Sequence, residues 1–90
     1  MNIEYAKSAS KVINSLDSKT KQRIKKAIEG LTEIPPKGDI KQLQGHGDGR
    51  CRLRKGGIRV LFKFVNAKVN EKHIKTLYII DVGARGDIYK

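Results

Sequence analysis

The chain has 90 residues, of which 38% are hydrophobic, enough for one small packed domain with a thin stability margin. Twenty Lys and Arg against nine Asp and Glu give a net charge of +11, which argues against an acidic binding surface and for a polyanionic partner. A single cysteine excludes an internal disulfide, no Cys and His group has zinc spacing, and no apolar run approaches the length of a membrane span.

The residues from Met1 to Tyr5 do not have the pattern of a secretory leader, so the expected setting is the cytoplasm. Asn2 to Tyr5 reads as a short first strand. Ser8 is the expected N-cap of a first helix, with Val12, Ile13 and Leu16 at helical spacing. Asp17 or Ser18 caps a second helix, in which Ile24, Ala27, Ile28 and Leu31 form a one-sided apolar stripe. Lys19, Lys21, Lys25 and Lys26 lie mostly outside that stripe and read as solvated surface. Pro35-Pro36 is the expected end of this helix, because proline disfavours helical backbone in the residue before it. Two helices with a tight joint predict an αα-hairpin.

Residues 37–49 read as a loop from helix to sheet. They contain Gly45-His46-Gly47-Asp48-Gly49 but lack the Gly-Lys-Ser/Thr ending of a phosphate-cradling loop. After Gly49 the period changes to two, with Cys51 and Leu53 alternating with Arg50, Arg52 and Arg54. Gly56-Gly57 predicts a two-residue hairpin turn, since glycine accepts the positive φ such turns need. The returning strand runs from Ile58 to Val65, Asn66 to Lys72 forms a turn, and a third strand runs from about His73 to Val82. The expectation is an α+β fold of order β-α-α-β-β-β over residues 1–90 as a single domain. An antiparallel sheet carries the helix hairpin on one face.

That hairpin makes a geometric claim. With Gly56 and Gly57 as the turn, Lys55 faces Ile58, Arg54 faces Arg59 and Leu53 faces Val60. Directly paired residues point to the same side of a sheet. Cys51, Leu53, Val60 and Phe62 then share the face the helices cover, and Arg50, Arg52, Arg54, Arg59 and Lys63 share the other. Like charges opposed across strands are destabilising, so such a cluster calls for an anion. Five of the six arginines lie after residue 35, and Arg offers a planar, permanently charged fork suited to phosphate. Cys51 reads as a small core residue. His46 and His73 are isolated, and neither a Ser-His-Asp arrangement nor an inward pair of carboxylates can be assembled. Chemistry must therefore come from Arg, Lys and Tyr, with Arg85 and Tyr89 in the tail as further reactive groups.

The string from Gly49 to Phe62 resembles the central motif of the RelE/ParE toxin superfamily. The tail from Val82 to Tyr89 is similar to that family's Val-Gly-x-Arg…Val-Tyr ending, and the Lys-rich helices before Leu43-x-Gly45 fit as well. The resemblance implies the toxin of a type II toxin–antitoxin system. In the RelE branch, this is a metal- and cofactor-independent endoribonuclease that cuts mRNA in the ribosomal A site by attack of the 2′-OH on the adjacent phosphate. It implies a cognate antitoxin and the message-loaded ribosome as partners. Arg52, Arg59, Arg85 and Tyr89 are the implied catalytic groups, and Arg50, Arg54, Lys55 and Lys63 are the implied RNA- and ribosome-binding groups. Positions 50 and 52 carry Arg where the best-known members carry Lys, and an arginine cannot act as a general base near neutral pH. The alternative branch is a ParE-like gyrase inhibitor that shares the fold and cleaves nothing.

Overall fold

The computed structural model describes residues 2–43 and 49–84. Within them the chain runs β1 (Asn2–Tyr5), α1 (Lys7–Ser15), α2 (Ser18–Gly30), β2 (Asp39–Gln42), β3 (Cys51–Lys55), β4 (Ile58–Val69) and β5 (Lys72–Ala84). The strands form one sheet in the order β1-β5-β4-β3-β2, and the helices supply the apolar layer against one of its faces. The fold class is α+β, as the periodicity requires.

Helix α2 forms where the sequence places it. The Asp17 carboxylate accepts a hydrogen bond from the Thr20 N–H at 3.1 Å, and hydrogen bonding from the Thr20 side chain first, then its backbone, holds the carboxyl below its ordinary range. A native-state carboxyl depressed in this way adds stability above the ordinary carboxylate range and loses it as acid protonates the cap. Ile24, Ile28 and Leu31 are buried and Ala27 partly so, which confirms the stripe. Helix α1 differs at its start. Ala6 holds the cap position without a side-chain bond, so Ser8 lies inside the first turn. Helix α2 ends at Gly30, well before Pro35-Pro36, because glycine is a poor helix residue and the chain folds back there. The Lys37 N–H donates to the Gly30 carbonyl at 3.0 Å.

The sheet is mixed and has five strands in the described residues, where the sequence predicts an all-antiparallel one. Strand β1 lies parallel to β5 from Asn2↔Thr76 to Tyr5↔Ile79, covering an edge that would otherwise be open. Strand β2 falls inside the segment read as a loop and pairs antiparallel with β3. Its four residues are too few to show a period against glycine-rich surroundings. Gly38, just before it, holds φ +126° and passes so close to Leu53 that an added Cβ would sit 2.6 Å from that side chain. The β3–β4 hairpin has the expected register, Lys55↔Ile58, Arg54↔Arg59 and Leu53↔Val60, with Gly56 at φ +59°.

The β4–β5 hairpin is longer than its sequence pattern suggests. Pairing continues through Val69↔Lys72, and the turn contracts from residues 66–72 to Asn70-Glu71. Both turn residues have positive φ, +50° and +66°, the conformation of a type I′ turn. Asn tolerates this backbone, but Glu carries a left-handed penalty of about 1 kcal/mol. Glu71→Gly is therefore expected to raise Tm by roughly 4–8 °C in a thermal melt.

The core lies between the helices and the inner sheet face. Ala9 and Ile13 of α1 and Ile24 and Ile28 of α2 meet Leu53, Val60, Phe62, Leu77, Ile79 and Val82. Phe62 is 1% exposed, and its ring stands edge-on to that of Phe64 at 5.8 Å. One irregularity interrupts the ladder. Leu61 pairs with Asp81 and Phe62 with Ile79, leaving Ile80 as the extra residue of a β-bulge.

Candidate nucleic-acid interface

The sheet face opposite the helices is built by alternation. Because Leu53, Val60 and Phe62 are buried toward the helices, Arg52, Arg54, Arg59 and Lys63 must point the other way. Arg50 continues the same alternation one residue before β3, its carbonyl accepting the Leu43 N–H at 2.9 Å.

The register arranges this open face in rows across the strands. One row runs Asp39, Arg54, Arg59 and Gly83, and the next runs Lys41, Arg52, Leu61 and Asp81. Lys63, Tyr78 and Glu4 form a third. Arg54 and Arg59 are directly opposed, an arrangement that is destabilising until an anion or a carboxylate offsets it. Asp39 is the residue opposite Arg54 on its other side.

Burial divides the arginines. Arg54 is exposed, whereas Arg50, Arg52 and Arg59 are half-buried. The Nε of Arg52 is shut off from solvent with no hydrogen-bond partner among the described residues. A guanidinium held in this way has its stem fixed by packing, and its planar fork suits bidentate contact with phosphate oxygens.

Cys51 points inward as expected. Its Sγ lies 3.5 Å from the Gly49 carbonyl, and burial pushes the thiol pKa up, which disfavours the nucleophilic thiolate. Among the described residues no His, Cys, Asp and Glu group is placed to hold a metal, and no helix is long and apolar enough to cross a membrane.

No protein-family model matches the sequence, and no curated protein matches it. Solved structures do. A chain of the RelB-RelE antitoxin-toxin complex from Methanococcus jannaschii superposes with a TM-score of 0.67 and 25% identity, covering 96% of this chain and 94% of that one. A chain of a RelBE toxin–antitoxin complex from Mycobacterium tuberculosis gives 0.67 at 19% identity, covering 93% and 96%. The isolated RelE toxin of Escherichia coli gives 0.63 at 24% identity, covering 98% and 89%. The chain has a RelE-like toxin fold.

On this RelE-like fold, five of the eight site residues named from the sequence come together on the open face: Arg50, Arg52, Arg54, Arg59 and Lys63. Lys55 does not join them. It pairs with Ile58, turns to the helix side, and lines a groove there with Arg23, Lys26 and Lys37. Arg85 and Tyr89 lie outside the described residues. Three residues of the face escape the sequence pattern. Lys41 sits beside Arg52 and Asp39 beside Arg54, but both belong to the strand read as a loop. The alternation of Ile40 between two charged residues is their only signal. Asp81 has none, for a reason that lies in the bulge.

Proposed function

We propose that the chain is the toxin of a type II toxin–antitoxin system that cuts mRNA on the ribosome. The fold supports the first part, since the matched structures are RelE and its complexes with an antitoxin. The observation that carries the second is the open face itself, where half-buried arginines on two adjacent strands are fixed by the core beneath them. RNA brings its own nucleophile. Its 2′-OH attacks the neighbouring phosphorus, so the protein has to align that attack and stabilise the charge that develops on the phosphate. Arg59 and Arg85 are proposed to hold the scissile phosphate, with Arg50, Arg52, Arg54 and Lys63 binding the flanking backbone. Each well-placed donor is worth roughly 3–4 kcal/mol of transition-state stabilisation. No metal or cofactor is invoked.

The proposed partners are the message-loaded ribosome and a cognate antitoxin whose acidic or amphipathic segment covers this cationic surface. Primer extension on mRNA from cells expressing the chain tests the activity. Codon-phased cuts are expected, and intact message accompanied by DNA damage would overturn this function in favour of gyrase inhibition. Tyr89 is proposed to return a proton to the leaving 5′ oxygen. Tyr89→Phe, which keeps the ring, is then expected to lose as much single-turnover cleavage as Tyr89→Ala. A near-normal Phe variant, with Ala losing roughly 1–3 kcal/mol of binding, would instead assign the ring to base stacking.

A further inference from the structure

We infer that Asp81 is the general base that takes the proton from the attacking 2′-OH, an assignment that rests on the RNA-cleavage function proposed above. The first observation is the bulge. Leu77 and Ile79 point to the core, so strict alternation would drive Asp81 under the helices and Val82 out. The extra residue Ile80 reverses this, placing Asp81 on the arginine face beside Leu61 and returning Val82 to the core at 3% exposure. Bulges that re-aim a side chain recur next to active sites.

The second observation is how the carboxylate is held. Asp81 is half-buried, and its Oδ1 accepts the Val82 N–H at 2.9 Å. No side chain among the described residues pairs with its second oxygen.

The third is that no competitor stands beside it among the described residues. The arginines of the face cannot accept a proton near neutral pH. Of the other carboxylates in its rows, Asp39 and Glu4 are exposed on the edge strands β2 and β1, each two strands from Arg59. Asp81 is on the strand adjacent to Arg59 and one diagonal step away, a spacing of about 7–8 Å between backbones. A phosphodiester held by Arg59 and its own ribose 2′-oxygen fit within that step.

The step balances. The 2′-OH proton passes to the second Asp81 oxygen, the 2′ oxygen forms its bond to phosphorus, and the bond from phosphorus to the 5′ oxygen breaks. The 5′ oxygen takes the proton proposed for Tyr89, leaving a 2′,3′-cyclic phosphate and a 5′-hydroxyl. Solvent then restores both side chains. Arg59 and Lys63 from β4, Arg52 from β3, Glu4 from β1 and Tyr78 of β5 itself share the face with Asp81 and set its field.

Single-turnover cleavage on message-programmed ribosomes tests this. Asp81→Asn keeps the acceptor for the Val82 N–H, so its Tm and ribosome affinity are expected to match the parent while cleavage falls about 10²–10⁴-fold. Asp81→Glu, still a carboxylate, should recover part of the rate. Parental-level cleavage by Asp81→Asn overturns the assignment, as does a folded Asp81→Glu variant that cuts no faster than Asp81→Asn. If the parent chain itself leaves programmed message intact, the cleavage function fails first and takes this role with it.

Discussion

Arg59→Ala is expected to slow message cleavage by orders of magnitude while leaving a folded domain. Arg59 stands on β4, the central strand, with Arg54 opposite on one side and Gly83 on the other. Its neighbours Ile58 and Val60 point to the core, so the Arg59 side chain adds nothing to the apolar layer and its removal opens no cavity beneath the helices. Loss of a charge-stabilising donor of this kind costs about 10²–10³ in rate. Stability is expected to shift by about 1 kcal/mol or less, since lost packing of a half-buried stem is opposed by relief of the repulsion from Arg54. Single-turnover cleavage together with a denaturant titration separates the two quantities. A variant that cuts at the parental rate would remove Arg59 from the site.

Phe62→Ala is expected to have the opposite signature, a collapse of stability that removes activity only by unfolding the chain. Phe62 is among the largest fully buried side chains and sits where Cys51 of β3 and Ile79 of β5 flank β4. Truncation of a buried Phe costs about 3–5 kcal/mol. A domain of this length holds on the order of 5–13 kcal/mol in total. Urea unfolding should show a midpoint lowered by about a quarter or more at unchanged slope. A variant with parental stability would mean that the core is not organised around this ring.

Most of the arginine face is legible in the order of residues alone, and the reason is local. A two-residue Gly-Gly turn pins register, and a strand's period of two then sorts every side chain between Arg50 and Lys63 to one face or the other. Cys51 and the stripe of α2 are legible on the same grounds. Lys55 shows the limit of reading charge alone. Its basic character groups it with the arginines, but the same register that places them on the open face turns it to the helix side.

Three features needed the tertiary structure. Strand β2 is four residues long and becomes a strand because the edge of β3 is there to pair with it, which brings Lys41 and Asp39 onto the face. The direction of β1 is set by the edge of β5 that it covers, and a strand of four residues carries no signal of orientation. The bulge at Ile80 is the most consequential. The run from Leu77 to Val82 shows no break in sequence, and continuing its alternation buries Asp81. Only the competition of Phe62, Ile79 and Val82 for the core under the helices makes it better for the strand to slip one residue and expose the carboxylate. The chain's order of residues thus determined the helices, the hairpin and the concentration of charge, because those follow from short-range periodicity and turn chemistry. Which carboxylate stands among the arginines was decided by long-range packing, whose energies depend on neighbours far away in the chain.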